Sequence, residues 1–455
     1  MDLTQENKMG TTPVLRLIIS MSLPAMFSML VQSLYNIVDS AFVAQISVDA
    51  LTALSLAFPI QNLMIGVAVG TGIGINSLVS RRLGEGRRDE ASSVATHGLV
   101  LAFISWLIFV LLGILFTKPF FQSFSTNPTV VSMGCDYVYI VTIFSLGIFI
   151  EIALEKTLQA TGNMIYPMMF QLTGAITNII LDPILIFGLF GFPELGVKGA
   201  AIATVIGQIF AMLFALIIVF KKNHEVHITL KRFKFKGNIV KEIYAVGLPS
   251  IIMQSIMSIL VSGLNGILTT FSEAAVAVLG VYYKLQSFIF MPVFGLVQGV
   301  MPVMGYNYGA RSKQRLLKAL KIGTIIAIII MTLGTLLFML IPDKLLMIFK
   351  ADAQMHQIGI PAFRIISLCF IPAAMGILFS TLFQAVGNGI YSLVVSVLRQ
   401  LVVILPMAYL LSKIGLSAIW YAFPIAEIMS FCVTILLFRH LYVKNIKNLE
   451  KPLSI

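Results

Sequence analysis

Charge is scarce in this sequence. Asp, Glu, Lys and Arg make up 11% of its 455 residues, whereas a water-soluble domain carries roughly 25%. So few charges cannot cover a water-facing surface. With 58% hydrophobic residues and a mean hydropathy of +0.97, the chain is an all-α polytopic membrane protein. Cysteine is also nearly missing: Cys135, Cys369 and Cys432 stand far apart and form neither a disulfide framework nor a zinc site. His224 and His227 lie in a basic loop without further ligands. No HExxH, Cys–His pair, Gly-x-Ser-x-Gly or GxxxxGK[ST] pattern occurs, which speaks against an enzyme and against an ATP-driven pump in this chain alone. The net charge of +12 is read as a topology signal rather than as affinity for nucleic acid.

What is present is a series of apolar runs, each about 20 residues or longer and separated by charged or Gly/Pro-rich breaks. They predict spans at 15–44, 50–79, 93–117, 130–158, 166–190 and 197–221, then 243–270, 275–305, 319–341, 355–385, 390–412 and 417–441. The first run is too long for a signal-peptide core and reads as a retained span. With both termini on one side, that side collects 22 Lys and Arg residues and the other side five. The excess predicts a multi-pass protein of the cell membrane with both termini cytoplasmic.

The two halves repeat. QATGNMIY at 159–166 returns as QAVGNGIY at 384–391, an offset of 225 that also carries Leu23-Pro24 to Leu248-Pro249, Gly70 to Gly295, Gly74 to Gly299 and Gly84 to Gly309. Six spans is an even number, so both copies share one orientation, as in transporters with parallel repeats. The expected organisation is an N-terminal lobe at 1–221, a basic linker at 222–242 and a C-terminal lobe at 243–455. Glycines four apart (Gly66, Gly70, Gly74; Gly295, Gly299) read as close helix packing. Pro24 and Pro249 permit a bend.

On these features the chain resembles the multidrug and toxic compound extrusion (MATE) family. The resemblance rests on the two six-helix lobes, the paired QAxGNxIY segments, LDPILIFG at 181–188, GVKGAAIAT at 196–204 and SRRLGEGRRDEA at 80–91. The loops look most like the bacterial DinF/MepA-like branch. The resemblance implies export of amphipathic, often cationic drugs in exchange for H⁺ or Na⁺, with no cofactor. A flippase for a lipid-linked sugar or another amphipathic lipid intermediate is the alternative. A functional monomer is expected, with small organic molecules and the bilayer as partners.

Five acids (Asp39, Glu151, Glu155, Asp182, Glu427) and four bases (Lys156, Lys284, Arg364, Arg399) fall inside predicted spans. At the centre of a membrane helix an aspartate costs on the order of 3 kcal/mol, and such residues commonly mark ion pathways. Tyr35 precedes Asp39 by four residues, as Asn178 precedes Asp182 and Thr204 precedes Gln208. Counting along the spans places Asp39, Asp182 and Thr204 at similar depth in the outer half. Oxygen donors of this kind suit sodium, and paired carboxylates suit a proton. Bracing of backbone groups near Pro183 is the structural alternative. The resemblance implies that Tyr35, Asp39, Asn178, Asp182 and Thr204 form the coupling site.

The second lobe lacks these acids: the repeat takes Asp39 to Leu264, and Asp182 falls near Leu405. Arg399 and Glu427 reach similar depth on neighbouring spans and are expected to pair structurally. Glu155, beside Lys156, reads as a paired or solvated helix-end residue, and Glu151 and Lys284 are left open. Met253, Met257, Lys284, Phe288 and Met291 are candidate substrate contacts, with ordinary packing as the alternative for each apolar one.

Overall fold

The computed structural model describes residues 7–43, 45–221, 225–231, 233–349 and 351–449, with the backbone alone at 36, 37, 40 and 41. His224, and Lys222, Arg232, Lys350 and Lys451 from the charge count, lie outside the described residues.

A short helix, α1 (Lys8–Thr11), is followed by α2 (Val14–Val43), α3 (Val48–Gly84), α4 (Arg88–Phe124), α5 (Pro128–Ile143), α6 (Leu146–Ala160), α7 (Ile165–Phe187) and α8 (Val197–Lys221). The chain continues through α9 (Gly237–Thr269), α10 (Glu273–Gly309), α11 (Lys313–Leu340), α12 (Pro342–Ile348), α13 (Ala353–Ser367) and α14 (Phe370–Ala385). Then come α15 (Gly389–Val397), a π-helical turn at Leu398–Ile404, α16 (Leu405–Ser412), α17 (Leu416–Ile419) and α18 (Ala422–Leu441).

Among the described residues ten helical segments are long and apolar enough to cross a membrane, and the bent pairs α5–α6 (44°) and α13–α14 (47°) raise the number to twelve if each pair is one span. The 225 offset recurs in the boundaries: 48 to 273, 84 to 309, 88 to 313, 128 to 353, 160 to 385 and 197 to 422. Ser47 and Ser272 cap α3 and α10 alike, their Oγ accepting from the N–H of Ala50 (3.0 Å) and Ala275 (3.1 Å). Each cap satisfies one of the four free donors at a helix start.

The bends at 144–145 and 368–369 were not expected, because neither glycine nor proline marks them. Hydroxyls take up nearby backbone carbonyls instead. Ser145 Oγ donates to Thr142 O (2.7 Å), Ser367 Oγ to Arg364 O (2.9 Å), and Thr335 Oγ1 to Ser367 O (3.2 Å). Pro24 and Pro249 are carried inside the continuous helices α2 and α9. The last residues expected in the linker, from Gly237 onward, are already helical.

Packing defines two compact units, Phe27–Ile251 and Met1–Met26 with Ile252–Ile455. The sequence repeat divides at the linker, whereas packing divides within α2 and α9. Glycine explains the difference. In the first unit a Cβ on Gly70 or Gly74 would strike the backbone of Ile251 or Ile243, and in the second one on Gly295 or Gly299 would strike Met26 or Ser22. Without side chains there, α3 receives the start of α9 and α10 receives the start of α2. Within the first unit the linker lies along α4: Ser92 Oγ accepts from His227 N–H (3.0 Å), and His97 Nε2 accepts from Lys236 N–H (2.9 Å).

Candidate functional site

Inside the first unit, α2, α7 and α8 bring together the polar residues that the sequence had singled out. Asn178 and Asp182 stand one turn apart on α7, at 2% and 0% exposed, so both need partners. Asn178 Nδ2 donates to Asp182 Oδ2 (2.7 Å), while its Oδ1 accepts from Thr204 N–H on α8 (3.0 Å). This amide orientation satisfies both ends of the side chain; the reverse would face like against like. The Thr204 hydroxyl bonds Tyr35 on α2.

Asp39, one turn beyond Tyr35, presents its carboxyl to that of Asp182, close enough for one proton to serve both. Asp182 Oδ1 has no hydrogen-bond partner among the described residues. Toward the α7–α8 connection the site is closed by a packed apolar cluster that includes Val43, Ile186, Val197, Ala200 and Ala201. Two carboxyls, one of them with an oxygen that has no partner among the described residues, an amide and two hydroxyls thus share a small volume, in which Asn178, Asp182 and Thr204 are buried and Tyr35 and Asp39 half-buried. Such a volume can hold a proton or a small hard cation. Among the described residues no three His, Cys, Asp or Glu side chains gather as a metal cage.

Sequence reasoning missed Tyr137 on α5. It is buried within electrostatic reach of both aspartates, and its hydroxyl donates to Gln61 Oε1 (3.3 Å). No pattern in the chain marks it. Gln208, one turn after Thr204, has Oε1 buried without a hydrogen-bond partner among the described residues.

The remaining candidates lie in the second unit. Arg399 Nη1 is 3.5 Å from Glu427 Oε2, with side chains 28% and 7% exposed. Arg399 stands in the π-helical turn, a distortion frequent at functional sites. Lys284 is exposed and lies 6.0 Å from the Phe349 ring centre. Met253, Phe288 and Met291 are half-buried, and Met257 is exposed. Where the repeat would place a second acidic site, Leu264 is fully buried, and Leu405 packs over Gly263. Of the two readings of Glu155 the paired one holds: it is buried within an ion pair to Lys156 and hydrogen bonds from Gln159 and Gln171.

An all-helical chain with two compact units, an internal repeat and up to twelve candidate membrane spans has the architecture of transporters built from parallel repeats. The MatE family model matches residues 24–184 and 249–410, one match in each repeat, and the chain belongs to that family. It is similar to an FAD transporter of Shewanella oneidensis (27% identity, 92% of this chain and 93% of the relative). It is also similar to the multidrug export protein MepA of Staphylococcus aureus (25%, 91% and 91%). A solved structure described as the outward-facing conformation of a multidrug resistance MATE family transporter of the MOP superfamily superposes with a TM-score of 0.92 at 28% identity, covering 99% of this chain and 100% of that one.

Proposed function

We propose that the chain is a secondary antiporter of the plasma membrane. It exports amphipathic, often cationic organic compounds in exchange for H⁺ or Na⁺, working as a monomer with both termini cytoplasmic. The observation that carries this reading is the convergence of Asp39 and Asp182 with Tyr35, Asn178 and Thr204 in one unit. The MepA relatives support drugs as the substrate class, and the distribution of basic residues supports the orientation. In functional terms the lobes follow the sequence repeat, 1–221 and 243–455, joined by the linker at 222–242.

An ion moves the equilibrium between outward- and inward-open states only by its differential affinity for the two. A carboxyl pair that binds an ion in one state and releases it in the other supplies that difference. Met253, Met257, Lys284, Phe288 and Met291, all in the second unit, are the proposed substrate contacts. The relative named as an FAD transporter favours a second reading, in which the cargo is a larger amphipathic anion or a lipid intermediate. Lys284 would then meet negative charge.

The test is efflux from proteoliposomes under an imposed proton or sodium gradient, with ethidium and FAD as alternative cargoes. Asp39→Asn and Asp182→Asn should express and bind cargo but lose gradient-driven efflux. The double variant should be little worse than either single one, because both residues act in one site. Wild-type pumping by Asp39→Asn would refute the assignment.

A further inference from the structure

Three intramembrane charges take no part in the site above: Glu151, Glu155 and Lys156, all buried on α6. Lys156 Nζ donates to Glu155 Oε1 (2.9 Å) and to Gln159 Oε1 (3.0 Å). Gln159 Nε2 donates to the same Glu155 oxygen (2.7 Å), and Gln171 Nε2 on α7 donates to Glu155 Oε2 (3.0 Å). Glu155 is therefore a held carboxylate, neutralised by one ammonium.

One turn earlier, Glu151 brings a second carboxyl up to Glu155. Glu151 is 8% exposed, and its Oε1 has no hydrogen-bond partner among the described residues; Gln171 Oε1, in the same place, has none either. Two acids against one base leave one negative charge in a dry interior, where an uncompensated charge is strongly unfavourable. The site calls for one more positive charge.

The neighbouring helices do not supply it. The charged groups acting on Glu151 are Glu155 and Lys156. Of the groups on the helices packed around α6, Arg82 on α3 binds Glu85, Glu90 and Glu242, and Arg81 Nε donates to Ser77 O. His97 on α4 is engaged by Ser93 O and Lys236 N–H. Asp182 on α7 belongs to the ion site. A metal ion would have to sit beside the Lys156 ammonium with no third acid, His or Cys among the described residues to hold it. A proton needs only the two carboxyl groups.

We propose that Glu151 and Glu155 form a second proton-binding site, holding one proton between them. Uptake makes one O–H bond at a carboxylate and takes the cluster from a net charge of −1 to 0, and release reverses both changes. Gln171, Asn178 and Asp182 recur at i, i+7 and i+11, one face of α7, so the Glu155 end and the Asp182 end of that face lie about 16 Å apart. Gln208 of α8 lies against Gly147, one turn before Glu151. Its Oε1 is buried and has no hydrogen-bond partner among the described residues. In the proposed orientation the Glu151 end faces the cytoplasm, where an ion taken up at Asp39 must leave. That role in transport rests on the antiport reading; the binding of the proton does not.

Infrared difference spectra of the purified full-length protein, stepped in pH, report the C=O stretch of protonated carboxyl groups. A band from the pair should be present in the wild type, retained in Asp39→Asn and lost in Glu151→Gln. The glutamine keeps the shape of the side chain and leaves the neutral Glu155–Lys156 pair intact. Glu155→Gln leaves Glu151 to pair with Lys156 and should lose the band too, which keeps the test open if Glu151→Gln fails to fold. An unchanged acid band in the folded variant overturns the proposal. Ethidium efflux under a proton gradient and under a sodium gradient is measured on the same preparations. A wild type indifferent to both gradients defeats the antiport reading, while the band still decides the proton site.

Discussion

Replacing Glu427 by Gln isolates the charge of the Arg399–Glu427 pair from its shape. At 3.5 Å, with an effective dielectric constant near 20, the gross attraction is about 5 kcal/mol. The Glu427 side chain is 7% exposed, so its ionisation costs desolvation energy that the substitution returns. Arg399 is 28% exposed and keeps part of its hydration when the partner is gone. The net loss should therefore fall below the roughly 3–5 kcal/mol of a fully buried pair, at about 2–3 kcal/mol. For a cooperative unit of this size that corresponds to a Tm lower by roughly 5–10 °C. The assay is thermal unfolding of detergent-purified protein, read as the surviving monodisperse fraction, with efflux per folded molecule measured in parallel. Glu427→Gln should lose stability and yield but not coupling. The double variant Arg399→Met, Glu427→Met should recover most of the loss, because an apolar pair leaves no stranded charge. Normal stability with lost coupling would refute the structural assignment, as would a double variant no better than the single.

Other outcomes follow from the geometry. A cysteine at Asn238 should react only with reagents that reach the cytoplasm and one at Glu194 only from outside; the reverse pattern overturns the orientation. Gly74→Val should destabilise by about 1–3 kcal/mol through overpacking against Ile243, whereas Gly266→Ala, with open space around it, should be neutral or mildly stabilising in the same melt. Asn178→Ala removes the donor to Asp182 and the acceptor for Thr204 N–H. It should weaken the ion site by about 1–3 kcal/mol, read as a roughly five- to hundredfold rise in the ion concentration that half-saturates efflux.

The features legible in the sequence were those written in chemistry along one helix. Span count followed from apolar length, and the repeat followed from a single offset that the helix boundaries share. The meeting of Arg399 with Glu427 followed from counting residues inward on neighbouring spans. What escaped depended on contacts across helices or on distortions without a residue signature. The bends at 144–145 and 368–369 are held by Ser145, Ser367 and Thr335, and hydroxyls of this kind occur throughout apolar helices without bending them. Tyr137 comes within reach of the aspartates through the packing of α5 against its neighbours, which no residue pattern records. The pairing of Glu155 with Lys156 was legible, but its burial was not, because its other partners Gln159 and Gln171 are neutral and carry no charge pattern.

The two repeats show how a scaffold and a site are specified separately. Glycines at 70 and 74, and again at 295 and 299, seat the start of another span in each unit by the same device, and serine caps start α3 and α10 at equivalent positions. The polar site follows no such symmetry. On the first unit's scaffold, Asp39 and Asp182 face each other with Asn178 between Asp182 and Thr204. In the second, Leu264 is buried and Leu405 lies over Gly263, which removes oxygen donors and fills the space with methyl groups. Adding one carboxylate there would bury a charge without the amide that holds Asp182. Leu264→Asp should therefore lower folded yield without creating ion-dependent transport in an Asp39→Asn background. Restored coupling in that double variant would mean that backbone symmetry alone suffices to build the site.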